Sequence, residues 1–222
     1  MSKIWAGRTD GNVNKTADDF NSSIGFDSRM WREDITASMA HAAMLAAKGI
    51  ISESDSNSII DGLDGILKDI ESGKLLIDTA AEDIHTFVEQ TLTERIGEAG
   101  KRLHTARSRN DQGALDLRLY LKNCTDEIKA QIRSLIAVLC EKADTYKAAV
   151  MPGYTHMQRA QPITFGHHLM AYAMMLLRDL DRFSDAEKRM MVSPIGCCAL
   201  AGTTYDTDRR FEAEKLGFNS VC

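Results

Sequence analysis

Proline is almost missing from this chain: Pro152, Pro162 and Pro194 are the only three in 222 residues. Because proline inside a helix costs roughly 3 kcal/mol, helices are expected in the long stretches between and before them. Cysteine is also sparse, and the five present include no CxxC pair. Cys197 and Cys198 are adjacent, which suits neither a disulfide nor a zinc site, so no disulfide framework or metal site is expected. Cys124 and Cys140 fall in a helical stretch as small packing residues. There is no excess of positive charge; the net charge of −5 excludes a phosphate-neutralising face and with it a nucleic-acid partner. Long apolar runs are absent too. The most apolar early run, Ala40 to Ile51, contains His41 and Lys48 and is too short to cross a bilayer, and the first eight residues lack the apolar core of a signal peptide. These absences predict a soluble cytoplasmic protein with no membrane contact.

Strand-like alternation is nearly absent as well, and the expected fold is all-α. Between Asp111 and Val150 the apolar residues Ile128, Ile132, Leu135, Ile136, Leu139 and Ala143 recur at spacings of three and four, predicting one long helix. Phe165, Leu169, Tyr172, Ala173, Leu176, Leu180 and Phe183 predict a second, from Thr164 to about Met190. Upstream, helices are expected over 28–48, 52–71 and 80–96, closed by Gly49, Gly73 and Gly97, after an irregular arm of about 20 residues. Two domains follow: an arm and helical domain over 1–110, and the start of a long-helix bundle over 111–222. A helix of about 40 residues is roughly 60 Å long, whereas a compact chain of this length is about 45 Å across. It needs partners, either copies of the chain or further helices.

Polar segments interrupt this apolar periodicity. The ten-residue stretch Gly153-Tyr-Thr-His-Met-Gln-Arg-Ala-Gln-Pro162 reads as a loop offering His156, which can move a proton near neutral pH, beside Thr155 and Gln158. Taken alone, it is equally a capped corner satisfying helix ends. Before the long helix, Arg107, Arg109 and Asn110 stand where helix dipole and guanidinium groups together favour a carboxylate; the competing reading is a solvated basic loop capped by Asp111. In Phe20-Asn-Ser-Ser-Ile-Gly-Phe-Asp27, Ser23 is individually more typical of a helix cap than of a ligand. His85 lies one helical turn after Glu82 and one before Glu89, so a carboxylate is positioned to orient its ring. Glu82-x-x-His85 is also half of a di-iron motif, but the second Glu-x-x-His is missing, and a lone histidine is more often packed than ligating. Pro194-Ile-Gly-Cys-Cys-Ala-Leu-Ala-Gly202 reads as a hinge of small residues.

Taken in order, Trp5-Ala-Gly-Arg8, Phe20-Asn-Ser-Ser-Ile24, Glu82-Asp-Ile-His85, His104-Thr-Ala-Arg-Ser-Arg-Asn-Asp-Gln112, the 153–162 segment and the 194–202 hinge resemble argininosuccinate lyase, of the aspartase/fumarase superfamily, and its delta-crystallin relatives. The resemblance implies an aspartase/fumarase-like fold with an N-terminal helical domain and part of a central bundle, in a homotetramer whose sites form where subunits meet. It implies reversible β-elimination of argininosuccinate to arginine and fumarate, as in arginine biosynthesis, with no cofactor. That reaction needs a base, donors for a dianion and an acid for the departing nitrogen. The resemblance makes His156 the acid/base histidine and Ser23, Asn110 and Thr155 substrate-binding residues; His85, Arg109 and Gln158 join them. Family members are about twice as long, and the glycine-serine-serine loop that bears their serine base is not found here, so the resemblance implies an N-terminal part of such an enzyme, inactive alone. Ala6, Ala106 and Cys198 stand at usual glycine positions; if those require positive φ, each costs about 1 kcal/mol. The alternatives are a lyase of the adenylosuccinate or fumarate type, which would not be expected to carry Arg107-Ser-Arg-Asn-Asp-Gln112, and a non-catalytic crystallin-like protein.

Overall fold

In the computed structural model, residues 15–222 are described; the Trp5–Arg8 motif, Ala6 and most of the expected arm lie outside them. Short helices α1 (Lys15–Asn21) and α2 (Ile24–Asp27) lead through a 3-10 turn into α3 (Trp31–Ala47), followed by α4 (Glu53–Glu71) and α5 (Ile84–Ile96). The long α6 spans Arg109–Thr145, α7 spans Phe165–Met190 and α8 spans Arg209–Lys215. Most of the described chain is helical, as the spacing predicts. None of the described helices is long and apolar enough to cross a membrane.

Helix boundaries follow the capping chemistry. Ser52 accepts from the Asp55 amide at the start of α4, and Thr164 accepts from the His167 amide at the start of α7. Gly49, Gly73 and Gly97 adopt positive φ where α3, α4 and α5 end. The helix expected from residue 80 begins instead at Ile84, because Asp83 is its cap and accepts from both the amide and the hydroxyl of Thr86. Glu82 therefore stands outside the helix, and the Glu-x-x-His spacing does not mark one helical face.

Two compact units are present, one of residues up to 117 together with 192–222, the other of 118–191. In the first, α3, α4 and α5 pack around Ile59, Leu63 and Ile66, which recur at i, i+4, i+7 and are fully buried, with Ile35, Met44, Leu45, Ile84, Val88 and Leu92. A β-carbon at Gly62 would lie 2.7 Å from Leu92, so glycine sets the close approach of α4 to α5. The expected boundary at 110/111 falls inside the first turn of α6, which this unit keeps.

The second unit corrects one expectation. Residues 153–162 are not a loop but most of a hairpin, β1 (Val150–Thr155) paired antiparallel with β2 (Gln158–Thr164). Thr155 faces Gln158 across a two-residue turn in which His156 and Met157 have φ of +50° and +57°. Both turn positions are left-handed, as in a type I′ hairpin, yet neither is glycine. A second short pair, β3 (Val192–Ser193) with β4 (Ser220–Val221), runs parallel in the first unit.

Ala106 (φ +58°) and Cys198 (φ +54°) do occupy left-handed backbone. Ala106→Gly and Cys198→Gly are each expected to raise stability by about 0.5–1 kcal/mol. Thermal melting checks this: a gain of about 1–4 °C per variant is expected, and a loss would show that side-chain contacts outweigh backbone strain.

Candidate active site

Helix α3 is buried on nearly every side, so its polar residues require partners inside the protein. Asp34, Ser38 and His41 fall at i, i+4, i+7 and form one polar stripe. Each is matched. Asp34 Oδ1 lies 2.6 Å from His85 Nδ1 and accepts from Gln112 at 2.6 Å. Ser38 Oγ accepts from Arg107 at 2.9 Å. The His41 ring is held between Glu212 at 3.0 Å and the Thr105 carbonyl at 2.9 Å.

The carboxylate that orients His85 is thus Asp34 rather than Glu82 or Glu89. Glu89 instead takes His104 at 2.7 Å and Arg107 at 3.2 Å. Asp116, fully buried, lies 3.4 Å from His85 Nδ1, and among the described residues neither of its oxygens has a hydrogen-bond partner. Burial works against the charged form of His85, but the adjacent Asp34, assisted by Asp116, outweighs it and raises the pKa to about 9. Burial and the neighbouring Asp34 displace Asp116 well upward. Asp34 moves downward: burial opposes its charge, and His85, Arg107 and Gln112 overcome that.

Asp34, His85 and Asp116 have metal-ligand chemistry, with their ligating atoms all within 4.8 Å. A zinc-like ion with bonds near 2.1 Å would hold two ligand atoms roughly 3.3 Å apart. The 2.6 Å contact between His85 and Asp34 is instead that of a charge-assisted hydrogen bond, which places a proton there.

The start of α6 is built by reciprocal capping. The Asn110 amide donates to Ser108 Oγ, and the Ser108 amide donates to Asp111 Oδ1 at 3.0 Å. The other oxygen of Asp111 accepts from the amides of Gly196 (2.9 Å) and Cys198 (2.7 Å), which fixes the 194–202 hinge against this corner. Asn110 Nδ2 donates to the Ala199 carbonyl at 3.0 Å. Arg109 donates to Asp83 and to Thr86 Oγ1, so its guanidinium holds the start of α5 instead of lying open to a ligand carboxylate. Ser23 Oγ donates to Asp27 Oδ2 at 2.5 Å, and Asp27 Oδ1 accepts from the Ile84 amide at 3.1 Å. Ser23, His85, Arg109 and Asn110 therefore belong to the first unit, where the first three meet around the N-terminus of α5. Thr155, His156 and Gln158 belong to the second, where they form the exposed hairpin end.

A protein-family profile described as Lyase matches residues 7–221. The chain belongs to this lyase family. Curated relatives include the argininosuccinate lyases of Desulforamulus reducens, 53% identical over 219 residues, and of Clostridium beijerinckii, 55% identical over 219 residues; each alignment covers 99% of this chain and 48% of the relative. A solved structure of an EDDS lyase variant with bound fumarate is 29% identical with a TM-score of 0.76, over 93% of this chain and 40% of that one. The chain spans about half the length of the curated relatives it matches.

Asp34, Asp116 and Asp27 are members of this candidate site that composition and spacing did not single out. Their signal was present: Asp116 shares a helical face with Gln112, Leu115 and Leu119, all buried, and a carboxylate on such a face requires a partner. The charge on His85 also makes stability depend on pH. Its folded pKa of about 9 exceeds the ordinary 6.5, so its contribution is complete below pH 6.5 and is lost as pH rises through 9. The upward displacement of Asp116 acts in the same direction. At 1.36 kcal/mol per unit, denaturant unfolding should show a loss of about 3 kcal/mol between pH 6.5 and 9.5. The profile should flatten in His85→Gln; a flat parent profile would exclude a charged His85.

Proposed function

We propose that this protein acts in the reversible β-elimination of argininosuccinate to L-arginine and fumarate, the arginine-forming step of arginine biosynthesis. The observation that carries this reading is the 53% and 55% identity, across 99% of the chain, to relatives named argininosuccinate lyase. The fumarate bound in the related EDDS lyase variant supports the product class. His156 donates a proton to the leaving guanidino nitrogen, and Thr155, Gln158, Ser23 and Asn110 hold the substrate. His85, charged and buried, contributes positive potential for a dianion, and Arg109 positions the start of α5 through Asp83 and Thr86. By the resemblance, the base acting on carbon is a serine outside these residues. The protein works in the cytoplasm as a homotetramer and without a cofactor. Exposed apolar side chains on α6 (Leu135, Val138) and on α7 (Met170, Met174, Leu177) support association of long helices between subunits.

The test is fumarate formation from argininosuccinate by the complete protein carrying Asn110→Ala or Arg109→Lys. Loss of the Asn110 amide should lower kcat/KM about tenfold, the worth of one hydrogen bond. Lysine at 109 keeps the charge but loses the two-pronged grip on Asp83 and Thr86, and should raise KM more than it lowers kcat. Unchanged kinetics in both variants, or activity on adenylosuccinate in place of argininosuccinate, would overturn the assignment.

A further inference from the structure

Cys197 and Cys222 are 25 residues apart in sequence, yet their sulfurs lie 3.3 Å apart. Two features bring them together. The β3–β4 pair continues into a bond from the Cys222 amide to the Ser193 carbonyl at 3.1 Å, which seats Cys222 beside the 194–202 hinge. The hinge turns sharply at Gly196 (φ +82°) and closes with the Gly202 amide donating to the Cys197 carbonyl at 2.8 Å, which aims Cys197 back at Cys222. Arg209, anchored by its Nε to the Ile195 carbonyl at 2.7 Å, places one guanidinium nitrogen 3.2 Å from the Cys197 sulfur and 3.6 Å from that of Cys222. The fixed guanidinium favours a thiolate on either sulfur, whereas burial and the neighbouring Cys222 thiol hold Cys197 above the ordinary thiol value, so Cys222 is the sulfur placed to attack first. Cys222 is exposed and Cys197 half-buried, so one sulfur is accessible and the other is placed to resolve. Cys198, although adjacent, directs its thiol to the Ala106 carbonyl at 3.4 Å.

We propose that Cys197 and Cys222 form a thiol–disulfide exchange site that takes a low-molecular-weight disulfide of the glutathione type. The Cys222 thiolate attacks one sulfur of the small disulfide, forming a mixed disulfide and releasing one small thiolate. The Cys197 thiolate then attacks the Cys222 sulfur, forming the protein disulfide and releasing the second small thiolate. The two protons given up by the protein thiols go to the two released thiolates, and the small disulfide is the two-electron oxidant. The product ties the hinge, whose Gly196 and Cys198 amides hold Asp111, to β4.

The test is incubation of the purified protein with glutathione disulfide, quenching by alkylation, and mapping of tryptic peptides. The expected product is two hydrogens lighter, links peptide 190–209 to the peptide beginning at Leu216, and is restored by a dithiol reductant. The link should persist in Cys198→Ser and vanish in Cys197→Ser and Cys222→Ser. Closing a loop of this length should also raise the melting temperature by about 5–10 °C. A glutathione adduct that persists on Cys222 without a cross-link, a link through Cys198, or no reaction with either cysteine would each overturn the proposal.

Discussion

Replacing His156 by asparagine in the complete protein is expected to lower kcat for argininosuccinate cleavage by about 100- to 10,000-fold, the usual worth of a positioned general acid or base. The backbone makes this substitution unusually clean. His156 is the first residue of a two-residue turn with φ of +50°, where asparagine is among the best-tolerated residues. Stability should therefore hold or rise slightly while turnover collapses. Side-chain truncation that merely loosened a corner would move both in the same direction. Turnover within a few-fold of the parent, measured alongside an unchanged melt, would reduce His156 to a turn residue.

The second large effect is expected at Asp34. Removing one partner from a buried charge pair costs about 3–5 kcal/mol, because the remaining charge stays desolvated. Asp34→Ala would take from the imidazolium of His85 its hydrogen-bonded carboxylate, leaving only Asp116 at 3.4 Å, and would remove one of the carboxylates near Arg107. A drop of about 10 °C in melting temperature should follow. Asp34→Asn keeps the volume and an acceptor for Gln112 and should fall between parent and alanine. In Asp34→Ala the loss of stability between pH 6.5 and 9.5 should also shrink, since the main counter-charge of His85 is gone. A change below 1 kcal/mol would mean that the His85–Asp34 contact carries no charge.

The helices were legible because their signals are local. Apolar spacing located α6 and α7 to within a few residues, and glycines marked the ends of α3, α4 and α5. The hairpin was illegible for equally local reasons. Pro152 and Pro162 face one another in its ladder and neither can donate, Gly153 sits at its register shift, and its turn lacks the glycine that usually signals a type I′ hairpin. What the sequence suggested there was loop. The candidate site was legible as a list of residues but not as a set of partners. His85 was singled out with carboxylates three and four residues away, whereas its true partner lies 51 positions earlier on another helix. Arg107 and Arg109 were read together as ligand-facing, but burial against Ser38 and Glu89 claims the first and the start of α5 claims the second. Helical spacing reports which residues share a face, not which face of a distant helix meets it.

The first compact unit is assembled from sequence on either side of residues 118–191, and that arrangement sets an order of events during synthesis. His41 emerges from the ribosome 171 residues before Glu212, and Asp111 emerges 85 residues before the Gly196 amide that it holds. At translation speeds of about 5–20 residues per second, the polar stripe of α3 waits about 10–30 s for its last partner. Asp34 and Ser38 meet His85, Arg107 and Gln112 within 51 to 78 residues, so through most of that interval it is the imidazole of His41, held on one side by the Thr105 carbonyl, that stays without its carboxylate.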